Sequence, residues 1–240
     1  MTALAASGLR ARMESLDLLA NNIANASTGG YKADREFYSL YVGPEAQDDD
    51  AANTMPVIER QWTDLSQGSV HATGNALDLA LSGSGFFAVQ GPNGPLYTRN
   101  GNFHLASDGR LMSADGYPAQ NANGTALTVV PSQPVEILGD GTVRQGGANV
   151  GQLALADFAA PSALAKQGNN YFVADPSAKP TVPASTSVAQ GRLEDSNAGV
   201  AEGAVRLVAV MRQFEMMQKA VLMGDEMTKQ SIEQLAKVGP

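Results

Sequence analysis

A chain of 240 residues, 43% apolar and 17% charged, can fill one large domain or two modest ones and is too apolar for a disordered tail. Its formal charge of −8 argues against nucleic acid as a partner, and the lack of cysteine removes disulfides, thiolate chemistry and cysteine-ligated zinc. No apolar run reaches eighteen residues, and no basic stretch precedes an apolar core at the N-terminus. Neither a membrane span nor an ordinary secretory signal is expected.

Residues 2–25 read as an amphipathic helix, because Ala6, Leu9, Met13, Leu16, Ala20 and Ile23 recur by alternating steps of three and four. Arg10, Arg12, Glu14 and Asp17 lie largely off that stripe, and small residues (Ala3, Ala5, Ala6, Ser7, Gly8, Ala11) permit close approach by neighbours. Asn25-Ala-Ser-Thr-Gly-Gly ends the helix with residues that tolerate left-handed backbone. Tyr31, Phe37, Tyr38 and Tyr41 then place four aromatics in a short extension. Periodicity is lost from Gly43 to Met55, where Asp48-Asp49-Asp50 reads as a solvated loop without calcium-loop spacing.

From Pro56 the period changes. Leu77, Leu79 and Leu81 alternate with Ala76, Asp78 and Ala80, and Phe86-Phe87-Ala88-Val89 forms a short apolar run. Tight-turn dipeptides follow at Asn93-Gly94, Asn100-Gly101, Asp108-Gly109, Asp115-Gly116, Asn123-Gly124 and Asp140-Gly141. They predict an antiparallel meander of short strands, among them 96–99, 103–105, 110–113, 128–130, 135–138, 142–144, 153–158 and 171–174. Asp175 to Ser187 is a surface loop before the return through Gln190-Gly191-Arg192-Leu193.

The last forty residues organise the chain. From Val200 a heptad seam runs through Ala204, Leu207, Met211, Phe214, Gln218, Val221, Asp225, Thr228, Ile232 and Leu235, on a helix of roughly 55 Å at 1.5 Å per residue. Ser196 or Asn197 can cap its start, and Glu202 suits the positive end of its dipole. A stripe this narrow needs a partner. The fold class expected is α+β: long N- and C-terminal helices forming a coiled-coil-like helical domain, with an inserted antiparallel β-rich domain of short strands. The boundaries expected are 1–42 with 194–240 for the helical part, 43–65 for a linker and 66–193 for the β part.

A search for chemistry finds little. His71 and His104 are far apart in sequence and neither has a neighbouring carboxylate or second histidine. Leu81-Ser82-Gly83-Ser84-Gly85 is not a Gly-x-Ser-x-Gly elbow, and no phosphate loop or dinucleotide fingerprint occurs. The protein reads as non-enzymatic, with no catalytic residues, metal or cofactor.

Four stretches carry a resemblance. Leu19-Ala-Asn-Asn-Ile-Ala-Asn-Ala-Ser-Thr-Gly-Gly-Tyr-Lys32 is similar to the N-terminal signature of the bacterial flagellar rod and hook family. Gln67-Gly68-Ser69 to Phe86-Phe87, Tyr97-Thr-Arg-Asn-Gly-Asn-Phe103 and Gly191-Arg-Leu-Glu-Asp-Ser-Asn197 resemble its later blocks in order. The resemblance covers nearly the whole chain, within the FlgF/FlgG branch. Arg212-Gln-Phe-Glu-Met216 and the short stretch from Phe37 to Leu65 look like the proximal-rod FlgF version, whereas Phe86-Phe-Ala-Val89 looks like the distal-rod FlgG version. The resemblance implies a structural subunit of the flagellar basal-body rod, exported through the flagellar type III channel. Its partners would be copies of itself, other axial rod and hook proteins and the export apparatus. The assembly interface expected is Leu9, Met13, Leu16, Asn22, Ile23 and Asn25 on the first helix, with Leu207, Met211, Phe214, Val221, Ile232 and Leu235 on the last. The alternatives are a distal-rod subunit, or an extracellular β-rich binding module on a helical oligomerisation stem.

Overall fold

The computed structural model describes residues 2–42, 54–168, 170–183 and 185–237, and among these one α-helix near each end and sixteen strands between them make the fold mostly β. The helices are α1 (Thr2–Ala24) and α2 (Val200–Lys237). The strands are β1 (Asp34–Val42), β2 (Thr54–Thr63), β3 (Val70–Ala72), β4 (Leu79–Ser82), β5 (Phe86–Gly91), β6 (Gly94–Thr98), β7 (Phe103–Leu105) and β8 (Leu111–Ser113). Then come β9 (Val135–Ile137), β10 (Thr142–Gln145), β11 (Ala148–Gln152), β12 (Leu155–Ala156), β13 (Leu164–Lys166), β14 (Tyr171–Ala174), β15 (Ser187–Gln190) and β16 (Arg192–Glu194). The chain divides into a helical unit (Met1–Ala24, Asp34–Trp62, Gly199–Pro240) and a β unit (Asn25–Ala33, Thr63–Ala198). Asp48–Asp50 lie outside the described residues.

Within the β unit, β12-β5-β6-β14-β13 form a five-stranded antiparallel sheet and β11-β10-β9 a three-stranded one. The apolar run in β5 does not alternate because both of its faces are covered. Phe87 and Val89 enter the main core with Leu79, Leu81, Leu96, Phe103, Leu111, Leu127 and Val143. Phe86 and Ala88 face a second cluster with Tyr97, Ala156 and Phe172. Aromatic rings lock both sides: Phe87 meets Phe103 edge-on at 5.4 Å, and Phe86 lies 5.4 Å from Phe172.

The strands are not a simple meander. Successive pairs do form at β5–β6, β7–β8 and β9–β10–β11, but β4 pairs with β15 and β3 with β16. The chain therefore returns at its end to zip against its beginning. Asp108-Gly109 closes the β7–β8 hairpin as its sequence requires, with Gly109 at φ 84°. Asn100-Gly101 does not close a hairpin. Gly101 is there because the backbone passes Leu79 so closely that a Cβ would sit 1.7 Å from Leu79 O. Its carbonyl accepts from Leu79 N–H at 2.9 Å.

The coiled-coil-like domain of long terminal helices is not what forms. α1 spans only 23 residues, and its buried face is Ala11, Ser15, Leu18 and Leu19. The expected seam lies to the side of that face: Met13 is 54% exposed, while Leu9, Leu16 and Ile23 are half-buried. A coiled coil needs an apolar seam buried heptad after heptad. Here the centre of the α1 face is a polar tether: Ser15 Oγ donates to Glu36 Oε1 at 2.8 Å, and Arg206 of α2 reaches the same oxygen at 2.8 Å. Small side chains permit α2 to approach closely, as at Gly203, where a Cβ would stand 3.1 Å from Ile23 Cγ1. Thr54–Thr63, part of the stretch expected to be linker, is a strand paired with β1.

Candidate assembly interface

The turn after α1 delivers Tyr31 and Lys32 into the β unit. Asn25 O accepts from Thr28 N–H at 3.1 Å and Asn25 Oδ1 accepts from Thr28 Oγ1 at 3.3 Å, which turns the chain where α1 ends. Lys32 is then fully buried, with Nζ 2.5 Å from Glu194 Oε1 and 2.6 Å from Ser66 O. The other oxygen of Glu194 faces Arg99 Nη1 at 3.3 Å, and Arg99 Nη2 donates to Gly83 O at 2.7 Å. Gly68 N–H also donates to Glu194 Oε1, at 3.0 Å. Arg99 Nε has no hydrogen-bond partner among the described residues, and its guanidinium lies 5.4 Å from the Phe86 ring.

One buried carboxylate thus serves two cations. Burial pushes the Lys32 ammonium below its ordinary range, against the opposing pull of Glu194, and burial likewise lowers Arg99. Removing one partner of such a pair costs about 3–5 kcal/mol, because the other charge is stranded away from water. Asn197 completes the joint: its Oδ1 accepts from Ala33 N–H at 2.7 Å, and its Nδ2 donates to Asp64 O at 2.8 Å and Ser66 O at 3.1 Å. That use removes Asn197 as the cap of α2. Ser196 Oγ instead accepts from Ala198 N–H at 3.1 Å just before the helix.

The candidate interface residues fall into three groups. Asn22 and Asn25 serve their own chain: Asn22 Nδ2 donates to Asp34 O at 2.7 Å and its Oδ1 accepts from Asp34 N–H at 2.9 Å. Leu9, Leu16, Ile23, Leu207, Phe214 and Val221 are half-buried. Met13, Met211 and Ile232 are exposed, and the side chain of Leu235 lies outside the described residues.

Reading one seam per helix missed a second stripe on α2. Val205 (73% exposed), Met216, Met223 (67%) and Met227 step by eleven, seven and four along a face turned roughly away from Val210, Phe214 and Val221. Methionine spacing alone could have revealed it. With 38 residues, α2 also outruns the 23 of α1. Large apolar side chains exposed in a row are costly to leave in water, which makes this face a candidate interaction surface.

The two histidines divide. Residue His71 is not isolated from carboxylates, because the β3–β16 pairing sets its Nδ1 3.0 Å from Asp195 Oδ1. Ser69 Oγ donates to the other Asp195 oxygen at 2.9 Å, so the serine is not bonded to the histidine. This cluster is half-exposed on a strand edge, and it does not align a nucleophile with a base. Residue His104 sits exposed on β7. Among the described residues, no group of three or more acidic or histidine side chains could hold a metal ion, and no helix is long and apolar enough to cross a membrane.

Three family descriptions match consecutive parts of the chain. Residues 4–32 match "Flagella basal body rod protein", 80–145 "Flagellar hook protein FlgE/F/G D1 domain", and 189–235 "Flagellar basal body rod FlgEFG protein C-terminal". The chain is 31% identical to the flagellar basal-body rod protein FlgF of Caulobacter vibrioides over 93% of its length and 92% of that protein. It is 31% identical to FlgF of Mesorhizobium japonicum over 83% of each chain. It is 34% identical to the basal-body rod protein FlgG of Agrobacterium fabrum over 94% of this chain and 95% of that one.

Proposed function

From the premise that this chain belongs to the flagellar basal-body rod protein family, we propose that it is a non-enzymatic structural subunit of the rod that assembles through its terminal helices. It is a rod protein of the flagellar basal body. The observation that carries the assembly mode is the exposed apolar surface of α2, which no residue of the helical unit covers among those described. Burying one such side chain contributes about 1.5–3 kcal/mol, and a helical assembly repeats that gain at every subunit.

Residues 1–42 and 194–240 act as the rod-core part and 66–193 as its outer part. The partners are further copies and other axial rod and hook proteins, and the flagellar type III apparatus exports the chain. The position is proximal, as in FlgF, supported by the two FlgF relatives and by Arg212-Gln-Phe-Glu-Met216. A distal position, as in FlgG, is favoured by the Agrobacterium relative and by Phe86-Phe-Ala-Val89.

The test is density of the native basal body from cells whose copy of this chain carries a label at Asn123, on an exposed turn of the β unit. Label density near the motor end of the rod supports the proximal reading, and density next to the hook supports the distal one. Label missing from purified basal bodies sinks both.

A further inference from the structure

The backbone passes between the helical unit and the β unit four times, after Ala24, Ala33, Trp62 and Ala198. All four passages lead within a few residues to the same buried joint. Gly30 N–H donates to Glu194 O at 2.7 Å, Asp64 N–H donates to Ala33 O at 2.8 Å, and Asn197 N–H donates to Tyr31 O at 3.3 Å. Lys32 lies among them, bonded to Glu194 of the last passage and to Ser66 of the third. We propose that this joint is a mechanical clamp, in which Lys32 and Glu194 are the positioning residues that hold force entering the β unit along the crossing segments.

Two features make it suited to load. The numbering of its backbone bonds rises together, Gly30 with Glu194 and Tyr31 with Asn197, so the two segments run in the same direction. Tension towards the N-terminal end of one and the C-terminal end of the other shears those bonds together, whereas β3 and β16, three residues each, would unzip singly. The Lys32–Glu194 pair is also sealed from solvent, so water cannot replace its bonds until the joint has opened. Arg99 carries the carboxylate's other oxygen back to Gly83 O, at the end of β4, and so ties the clamp to the body of the unit. The purpose of the clamp rests on the rod reading, since a driveshaft subunit is turned under load; the clamp itself is a property of the single chain.

The experiment is force-extension of single full-length chains held at both ends. Wild type should release its β unit in a distinct high-force event. Lys32→Met should lose that event and release at lower force, and adding Glu194→Gln should lower the force no further. Leu127→Ala, in the main core and away from the joint, should melt at lower temperature yet keep the high-force event. Asn197→Ala, a milder cut at a half-exposed side chain, should lower the release force by less than Lys32→Met. An unchanged force in Asn197→Ala, or equal falls in Lys32→Met and Leu127→Ala, overturns the clamp. No rod is needed for this measurement, so a chain missing from purified basal bodies would overturn the rod reading and leave the clamp standing.

Discussion

The β unit closes its own core, whereas among the described residues of the helical unit α2 leaves most of its large apolar side chains exposed. In the β unit Leu79, Leu81, Val89 and Val143 are wholly buried, and β5 is covered on both faces. On α2 the one large apolar side chain buried among the described residues is Val210, while Met223 and Met227 are each 67% exposed. The lesson concerns where stability comes from. A unit whose strands pair across the whole chain carries its own folding energy. A helix with apolar stripes on two faces gains most of its energy only when neighbours cover them.

The largest effect expected comes from the core that is already closed. Phe87→Ala should cost about 3–5 kcal/mol, since it empties the site facing Phe103. Thermal unfolding of the β unit would show it, and a shift no larger than that of a surface change would mean the core is not shared as described.

Next come the helix surfaces. Met223→Asp and Ile232→Asp should abolish rod incorporation while leaving the melting of the β unit unchanged, because neither residue has a buried place in its own chain. They are cleaner probes than Phe214→Asp and Leu16→Asp, whose half-buried side chains also pack within the subunit. Those two should block incorporation as well. Melting of the β unit by Met223→Asp would break the division between the units.

Amide exchange on the purified monomer sharpens the boundary. Protection should run through β4 to β16 and include Tyr31 to Ala33, whose backbone is held by Asn197 and Asp64. Residues 225–233 of α2 should exchange fast. Equal protection along all of α2 would show that the helix needs no neighbours.

A smaller effect is expected in acid. Asp140 accepts from Thr142 N–H at 2.9 Å and Thr142 Oγ1 at 2.9 Å, which holds its carboxyl below the ordinary 3.8; Asp108 and Asp175 are lowered in the same way by Arg110 and by Ser177. A carboxyl lowered on folding contributes stability that is present above its unfolded pKa and is lost as pH falls through the folded one. Asp140→Asn should therefore lower stability slightly at pH 7, where the carboxylate's contribution is present, and flatten the loss of stability below about pH 3.8. An unchanged acid limb would remove the turn carboxylates from the account.

Smallest of all is the histidine pair. His71→Gln with His104→Gln should leave motility near normal and alter stability by under about 0.5 kcal/mol, since both side chains are exposed. Loss of motility with normal folding and rod assembly would show that the histidines do chemistry.

Much was legible in the residues alone. Periods of three-four and of two separated helical ends from strand middle, Asp108-Gly109 marked a true hairpin, and four motif blocks pointed to the rod family because their order and wording are specific. These signals are local: they depend on backbone preferences over a few residues, which the sequence displays directly. Tertiary structure alone decided which face of α1 is buried, because Ala11, Ser15 and Leu18 are selected by the close approach of α2 and by Glu36 rather than by hydrophobicity. It also decided that β3 meets β16 and that Gly101 must let Leu79 pass. Above all, it brought Lys32, Arg99 and Glu194 together. Three charges scattered along a chain look like solvated surface, and only the closing of distant segments around them turns them into a buried joint.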